Sequence, residues 1–439
     1  TLANNTEIPN IGIFTESKNQ VVNNGTINVG NDSYGIYAKN IKEGGTSVLT
    51  VNQNGVGIFA VGESGTPGNV IIDSGAKVTV NNGISGKEGV AVFTGGSNTV
   101  NVVDNGSIMD LKDSTFGFVL KAPGSFVNTN TGNVTLANDS IYAYTDNSGV
   151  NITNNAPITS TGNRNYGLYG NGTMENYGTI DFSNGNGNVG VYSTGGIATN
   201  FGIVKVGASN TANKEFGVGM ATGYYDEGTG SISNQGTVIN RGTIEVSKPN
   251  TMGMYAVGSG SKAINYGNIN LSSSKTVGMY LDRGAVGENW GTIQTTASGL
   301  RSVKGIYLAN GSYIKNYGTI NIAASDLKSA GIWTDKAENV EENAEGVNSV
   351  TGVNQKGTST PTMKVATADD MKEVGGVTIK VPPRTPSATV TDVKGNIIPI
   401  VSINTATLST AVQPAITVTS PSGVTTLDLD ALGFRNFGS

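Results

Sequence analysis

A repeat of about 25 residues constrains the fold of this chain more than any other feature of its sequence. The first repeated motif is a glycine, an aliphatic residue and usually an aromatic residue. Its clear copies are Gly12-Ile13-Phe14, Gly35-Ile36-Tyr37, Gly57-Ile58-Phe59, Gly117-Phe118-Val119, Gly167-Leu168-Tyr169, Gly190-Val191-Tyr192, Gly253-Met254-Tyr255, Gly278-Met279-Tyr280, Gly305-Ile306-Tyr307 and Gly331-Ile332-Trp333. Looser copies are Gly89-Val90-Ala91, Ser140-Ile141-Tyr142 and Gly217-Val218-Gly219.

A second motif, Asn-x-Gly-Thr-Ile, alternates with the first. Good copies are Asn176-Tyr177-Gly178-Thr179-Ile180, Asn240-Arg241-Gly242-Thr243-Ile244, Asn265-Tyr266-Gly267-Asn268-Ile269, Asn289-Trp290-Gly291-Thr292-Ile293 and Asn316-Tyr317-Gly318-Thr319-Ile320. One copy of either motif carries little information, but regular alternation of the two indicates a repeat architecture.

The period favours one solenoid class over its competitors. Leucine-rich repeats need a leucine frame that is absent here, and propeller blades need about 40 residues or more. A coil of two or three short strands joined by tight turns fits the period. The sequence therefore predicts an all-β, right-handed parallel β-helix of about 13 coils. Asparagine at a turn can also stack its amide on the next coil.

The first motif is the harder one to orient. In Val56 to Ala60, strand alternation puts Val56, Ile58 and Ala60 on one face and Phe59 on the other. We expect the aliphatic column inside and the aromatic column at the surface or at a corner. The reverse orientation remains open.

Interruptions of the repeat define the domain organisation. The repeats span residues 1–335, with an inserted loop at 221–233. Seven of the 12 prolines lie from Pro361 to Pro421, so residues 336–430 are interpreted as a β-rich, proline-containing insertion or side domain. Residues 431–439 are expected to return to the solenoid. Insertions in a solenoid become loops on one face, often the binding face.

Composition excludes several kinds of chemistry. The 439 residues include no Cys and no His, which removes thiolate sites and the commonest general base. A net charge of −5 opposes nucleic-acid binding. No apolar run reaches the ~18 residues of a membrane span. We expect no cofactor, no metal site and a monomeric chain, with any membrane anchoring through a barrel outside it.

No catalytic pair emerges from the acidic residues. Asp181 and Glu245 each follow directly after the Thr-Ile pair of their repeat, but they lie more than one coil apart, with Lys205 between them. Glu175 and Glu288 precede their Asn-x-Gly motifs several coils apart. A glycosidase needs two carboxylates roughly 5 to 9.5 Å apart, so we expect no catalytic residues and no enzyme activity.

Two sets of residues are candidates for ligand contact. Tyr224, Tyr225, Asp226 and Glu227 lie at the tip of the inserted loop. A second set recurs at the x position of the Asn-x-Gly motif and predicts a surface ladder that could stack on sugars or on a partner's side chains: Tyr177, Phe201, Tyr266, Trp290 and Tyr317. The simpler interpretation, that these rings only stack on one another and stabilise the coil, is preferred.

The alternation of Gly-Ile-Tyr-Ala with Asn-Tyr-Gly-Thr-Ile over residues 1–335 resembles the passenger repeats of large type V autotransporter adhesins, particularly those of fusobacteria. The resemblance implies a passenger displayed on the outer membrane of a bacterium, which binds a host or bacterial surface protein or glycan in cell attachment or coaggregation. It transfers no catalytic residues. The alternative function is a polysaccharide-active β-helix enzyme, either a lyase or a glycoside hydrolase.

Overall fold

The computed structural model describes residues 11–334, apart from Ser85, Thr211, Asn213, Lys214, Glu227, Ser325 and Leu327, and after residue 334 it describes only the strands given below and residue 339. The chain forms an all-β, parallel β-solenoid of about 13 coils. Each regular coil contributes one strand to each of three parallel sheets. The chain divides into two compact units, Thr1–Gly178 with Pro382–Val412 and Arg435–Ser439, and Thr179–Val381 with Gln413–Phe434.

In the first unit, the strands follow the chain through the three sheets in turn. The first sheet contains β1 (Ile11–Phe14), β4 (Tyr34–Ala38), β7 (Val56–Val61), β10 (Gly89–Gly95), β13 (Thr115–Leu120), β16 (Ile141–Thr145) and β19 (Tyr166–Gly170). The second contains β2 (Val21–Asn23), β5 (Asn40–Glu43), β8 (Gly68–Ile72), β11 (Val100–Asp104), β14 (Gly124–Asn128), β17 (Val150–Asn154) and β20 (Thr173–Asn176). The third contains β3 (Thr26–Val29), β6 (Val48–Val51), β9 (Lys77–Val80), β12 (Ile108–Leu111), β15 (Asn133–Leu136) and β18 (Ile158–Ser160).

The second unit repeats this arrangement. Its first sheet contains β22 (Val189–Ser193), β25 (Val218–Thr222), β30 (Thr251–Val257), β33 (Thr276–Asp282), β36 (Lys304–Leu308), β39 (Ala330–Thr334) and β42 (Met363–Val365). The second contains β23 (Ile197–Asn200), β28 (Thr237–Asn240), β31 (Lys262–Asn265), β34 (Val286–Asn289), β37 (Tyr313–Asn316) and β40 (Val340–Glu342). The third contains β21 (Thr179–Asp181), β24 (Ile203–Val206), β29 (Thr243–Val246), β32 (Asn268–Leu271), β35 (Thr292–Thr295), β38 (Thr319–Asn321) and β41 (Ser349–Thr351).

The remaining strands pair antiparallel, outside the three sheets. In the inserted segment 221–233, β26 (Tyr224–Tyr225) pairs with β27 (Ile232–Ser233) as a hairpin. Near the end of the chain, β43 (Gly376–Ile379) pairs with β46 (Ile416–Thr419), and β44 (Pro386–Thr391) pairs with β45 (Ile397–Ile403). Within the described part of the chain, none of the elements is a helix able to cross a membrane.

The solenoid pairing continues past residue 335, where the sequence motifs stop. Strand β40 pairs with β37, β41 with β38, and β42 with β39, all in parallel. Parallel pairing uses backbone groups, so it does not require the side chains of the motifs. Residues 431–439 lie outside the described residues.

A ladder of buried asparagine side chains runs along the turn between the second and third sheets. In the second unit, each Nδ2 group donates to the Oδ1 atom of the next rung, from Asn200 to Asn240 (2.9 Å), Asn265 (2.9 Å), Asn289 (2.9 Å) and Asn316 (2.8 Å). All five side chains are fully buried. Hydrogen bonding along the row satisfies polar groups that would be costly to bury alone. The stacking expected of the motif asparagines is therefore present.

In the first unit, the acids Glu43 and Asp104 take two rungs of the corresponding row. Asp104 lies in register with Asn128, and its carboxylate accepts hydrogen bonds from the backbone N–H groups of Gly106 and Ser107 and from the Ser107 hydroxyl. Burial raises the pKa of this carboxyl above its ordinary value, although the Ser107 and Gly106 hydrogen bonds act in the opposite direction.

The Asp104→Asn variant should lose one component of the pH dependence of stability. Because the folded pKa of Asp104 is raised, the native state keeps this proton to higher pH than the unfolded chain does. The free energy of unfolding therefore falls as pH rises from the unfolded pKa through the folded one. We expect denaturant unfolding between pH 3 and pH 8 to show a shallower fall for Asp104→Asn. Asp110→Asn, at a half-exposed site beside Lys112, controls for the lost charge; equal slopes in the two variants would contradict the assignment.

After its first two strands, in which Phe14 and Tyr37 are half-buried, the first sheet is almost entirely buried on both faces, which corrects the expectation that its aromatic column lies at the surface or a corner. Tyr192, Tyr255, Tyr280, Tyr307 and Trp333 are all less than 2% exposed. Rings of neighbouring coils cover one another, with centroids 5.9 Å apart for Tyr255 and Tyr280 and 4.5 Å apart for Tyr280 and Tyr307. Strand β43 also lies against β33 and β26. Simple alternation predicted exposure because it assumes that one face of each strand meets water.

The aliphatic column is buried, as expected, and it faces the second sheet. The Phe118 and Phe126 rings lie 4.3 Å apart, and a Cβ added to Gly287 would lie 2.4 Å from Leu281. The strand register also shifts the three looser copies of the first motif. Val90 pairs with Val56, so the true copy is Ala91-Val92-Phe93. The other two copies shift by two residues in the same way, to Tyr142-Ala143-Tyr144 and Gly219-Met220-Ala221.

Candidate functional site

The strongly exposed aromatic residues share one position in the repeat. Among the described residues, the large exposed aromatic side chains are Tyr177 (47%), Phe201 (39%), Tyr266 (41%) and Trp290 (47%). Each occupies the x position of the Asn-x-Gly motif, and Tyr317 occupies it half-buried. Among the described residues, the strongly exposed aromatics are thus confined to turns between the second and third sheets.

Backbone hydrogen bonds fix this turn in each coil. The N–H groups of Tyr266 and Gly267 both donate to the carbonyl oxygen of Asn240, at 2.7 and 3.0 Å. The same pair of bonds joins Trp290 and Gly291 to Asn265. A Cβ on Gly267 would lie 2.0 Å from the Gly242 oxygen, so only glycine fits there. The asparagine that precedes the x position is buried in the asparagine ladder, and the side chain at the x position itself is directed outward.

In the second unit the exposed side chains form a continuous stack. The Arg241 guanidinium lies over the Tyr266 ring, 4.3 Å from its centroid. The Tyr266 and Trp290 rings are 6.3 Å apart at 17°, and the Trp290 and Tyr317 rings are 4.5 Å apart at 30°. We call these four residues the aromatic ladder. Neighbouring planes cover part of each face, and the ring edges and the uncovered parts of the faces of Tyr266 and Trp290 are presented to solvent.

The sequence also placed Tyr177 and Phe201 in this set. Phe201 follows Asn200, which is in register with Asn240, so Phe201 lies one coil before Arg241. Tyr177 belongs to the first unit, where its hydroxyl donates to Glu175 Oε2 at 3.1 Å. The sequence pattern did not predict Arg241, because arginine is not one of the aromatic residues that define the set.

Two glutamates and a lysine follow the ladder on the outer face of the second sheet. Glu288 pairs with Lys315, and Lys315 pairs with Glu341, in three successive coils. We call them the carboxylate column. Glu288 Oε2 accepts a hydrogen bond from Trp290 Nε1 at 2.9 Å. This bond ties Glu288 to a ring of the aromatic ladder.

Glu341 is held by two tyrosines. Its Oε2 atom accepts a hydrogen bond from the Tyr313 hydroxyl at 2.6 Å, and its Oε1 atom accepts one from the Tyr317 hydroxyl. These bonds lower the pKa of Glu341 and raise the pKa of Tyr313 to about 12. The pKa of Tyr317 is also raised, chiefly by its hydrogen bond to Glu341. The carboxylate is therefore ionised at neutral pH.

Sequence reasoning missed Glu341 as a partner of the ladder. It lies beyond the last recognisable motif, in the acidic run that begins at Asp335. Its distance from Lys315, 26 residues, equals one coil and was the available signal. The register confirms that Lys205 lies between Asp181 and Glu245: it pairs with both, and its Nζ atom is 3.4 Å from Asp181 Oδ2.

The inserted hairpin is tied to the solenoid by the residues predicted to contact a ligand. Tyr224 and Tyr225 are half-buried, and the Arg283 guanidinium lies 3.7 Å from the centre of the Tyr225 ring. The Asp226 carboxylate caps the tip, accepting from the N–H groups of Gly228 and Thr229. Glu227 lies outside the described residues. In the described part of the chain, no group of three or more acidic, His or Cys side chains could hold a metal ion.

Comparison with known proteins gives one informative match. A family model described as the BigA third pectate lyase-like domain matches residues 40–292, more than half of the chain. No curated protein and no solved structure matches significantly. The matched range includes Tyr266 and Trp290 and the buried asparagines that precede them, Asn265 and Asn289. The match supports a bacterial surface protein with a pectate lyase-like β-helix. The chain belongs to the family of the BigA third pectate lyase-like domain.

Proposed function

We propose that this chain is part of an adhesin, an autotransporter passenger of the fusobacterial type displayed on the outer membrane, and that it attaches the cell to host or bacterial surfaces. One observation carries the proposal: the exposed aromatics of the second unit, Phe201, Tyr266 and Trp290, lie at the same turn of successive or nearby coils and so share one edge of that unit. Monomeric proteins rarely leave such an apolar strip exposed unless it contacts a partner.

The rigidity of the ladder supports a binding role. Its side chains extend from turns whose backbone is fixed by the coils before and after, so little side-chain freedom remains to be lost on binding. Aromatic and arginine side chains are also the residues that most often dominate binding energy at interfaces. The hairpin residues Tyr224 and Tyr225 remain a predicted second contact, although both already make contacts within the chain.

Removing the two central rings should abolish most of the attachment. Beads coated with the full chain should adhere to partner bacteria or host cells, and the double variant Tyr266→Ala with Trp290→Ala should need roughly tenfold more protein for the same attachment. Ile197→Ala provides the matched control, since Ile197 is 50% exposed but is not in the ladder. Thermal unfolding of both variants checks the fold. Equal attachment by wild type and double variant would refute a role for the ladder.

A second candidate function, polysaccharide cleavage, is favoured by the carboxylate column alone. Glu288 and Glu341 lie two coils apart, roughly 9.5 Å by strand spacing, which is within the range of inverting glycosidases. A general acid needs a raised pKa, however, and two tyrosine hydroxyls lower that of Glu341. New reducing ends or unsaturated products from a panel of surface polysaccharides, lost in Glu288→Gln and Glu341→Gln, would establish the enzyme; the adhesin proposal expects none.

A further inference from the structure

The end of the aromatic ladder at Trp290 and Tyr317 combines exposed rings with negative charge. Trp290 is 47% exposed, and Glu288 and Glu341 are hydrogen-bonded to the polar edges of the Trp290 and Tyr317 rings. Ionised carboxylates attract organic cations, and an aromatic ring attracts them over its face. Acidic ligands are repelled by the same groups.

The chain itself shows which cation the ladder accepts. At the rung before Tyr266, an arginine takes the place that aromatic residues hold in the following coils. Its guanidinium lies 4.3 Å from the Tyr266 centroid, a distance comparable to the 4.5 Å between the Trp290 and Tyr317 rings. A planar guanidinium therefore serves as a rung in a stack whose backbone spacing is set by the coils.

We propose that the Trp290–Tyr317 end of the aromatic ladder binds the guanidinium group of an arginine in a basic polypeptide segment of the partner, with Glu288 and Glu341 as its counter-charges. This proposal rests on the adhesin function and names its partner. The guanidinium would lie over the part of a ring face that the neighbouring ring leaves uncovered, as Arg241 lies over the Tyr266 ring. Its N–H groups would reach the free lone pairs of the two carboxylates. Each carboxylate oxygen that accepts one hydrogen bond can accept another.

Geometry favours guanidinium over ammonium. Guanidinium is planar, weakly hydrated and able to bond two oxygens at once, whereas ammonium is a compact and strongly hydrated charge. Lys315 lies between Glu288 and Glu341 and contributes to the lowered pKa of Glu341. Lys315 is thus an internal competitor for the two carboxylates. Its removal should strengthen the binding of a cationic partner.

Fluorescence can report this binding directly because the chain has only two tryptophans. Trp333 is 1% exposed and Trp290 is 47% exposed, so a change on ligand addition is assigned to Trp290. The probes are two ten-residue peptides of equal charge, one with arginines and one with lysines, and a neutral oligosaccharide. The arginine peptide should change the emission of the full chain and bind about three- to tenfold more tightly than the lysine peptide.

Charge variants make the test decisive. Lys315→Gln should tighten binding of the arginine peptide, and Glu341→Gln and Glu288→Gln should each weaken it about three- to tenfold. Glu245→Gln removes one outward carboxylate on the third sheet, in the coil of Arg241 and two coils before Trp290, and should leave the affinity unchanged. Equal binding of both peptides, binding of the oligosaccharide alone, or weaker binding by Lys315→Gln would overturn the proposal. If cell attachment still depends on Tyr266 and Trp290, the adhesin function stands without it.

Discussion

Replacing Asn265 by leucine should lower the free energy of unfolding by about 4 kcal/mol. The Asn265 side chain is fully buried and accepts a hydrogen bond from Asn240 Nδ2 at 2.9 Å while donating to Asn289 Oδ1 at 2.9 Å. Leucine has a similar volume but cannot make either bond. The substitution leaves Asn289 Oδ1 without its donor, and Asn240 Nδ2 keeps only its longer bonds to the Gly242 and Asn268 oxygens, at 3.3 and 3.2 Å; each loss costs about 1–3 kcal/mol.

Urea unfolding of the full chain, followed by far-ultraviolet circular dichroism, measures this loss. Asn268→Leu is the matched control, because Asn268 lies only three residues away with its side chain exposed, and its change should stay within about 0.5 kcal/mol. A solenoid is stabilised by contacts between neighbouring coils, so a break in the middle of the ladder weakens both sides of the structure. If Asn265→Leu unfolds at the same urea concentration as Asn268→Leu, the ladder does not contribute as described.

The asparagine ladder was the part of the fold that the sequence predicted best. The motif repeats Asn, an outward residue and Gly at one coil spacing, and each of the three has a single physical role there. Asn265 stacks in the row, Tyr266 points outward and Gly267 fits where a Cβ would meet the Gly242 oxygen. Residue identity and spacing together therefore predict this turn without the structure.

The aromatic column of the first motif was predicted less well. Alternation correctly places Ile58 and Phe59 on opposite faces, but it does not show that both faces are covered. That depends on stacking between coils, as between Phe59 and Phe93 with centroids 4.8 Å apart. The exposure of a side chain in a solenoid depends on the side chains of neighbouring coils, whereas the alternation pattern describes a single strand of one coil.

Charge partners between coils were the hardest feature to predict. Glu341 joins Glu288 and Lys315 through strand register, and it lies after the last copy of the motifs that reveal the register. Once the register is known, the same rule explains the pairing of Lys205 with Asp181. The candidate site thus required the alignment of coils in addition to the identity of its residues.

Substituting the motif glycine Gly253 by alanine should lower the free energy of unfolding by about 3 kcal/mol. A Cβ at this position would lie 2.7 Å from the Gly278 carbonyl oxygen and 2.9 Å from Ile269 Cγ2. Neither neighbour can move freely: the Gly278 oxygen belongs to the next strand, and Ile269 is fully buried. The coils would have to separate locally, which disturbs packing on the third sheet as well as hydrogen bonds in the first.

The expected sign is opposite to the usual effect of such a change. Where the backbone tolerates a side chain, Gly→Ala stabilises a protein by about 0.4–1 kcal/mol because it restricts the unfolded chain. Gly25→Ala tests that case, since its Cβ would meet no atom nearer than Asn23 Oδ1 at 3.8 Å. Urea unfolding should show Gly25→Ala as neutral or stabilised and Gly253→Ala as strongly destabilised. If neither Gly25→Ala nor Gly253→Ala destabilises the chain, the strands do not approach closely enough at Gly253 to require glycine. Close approach would then not explain the glycine of the first motif.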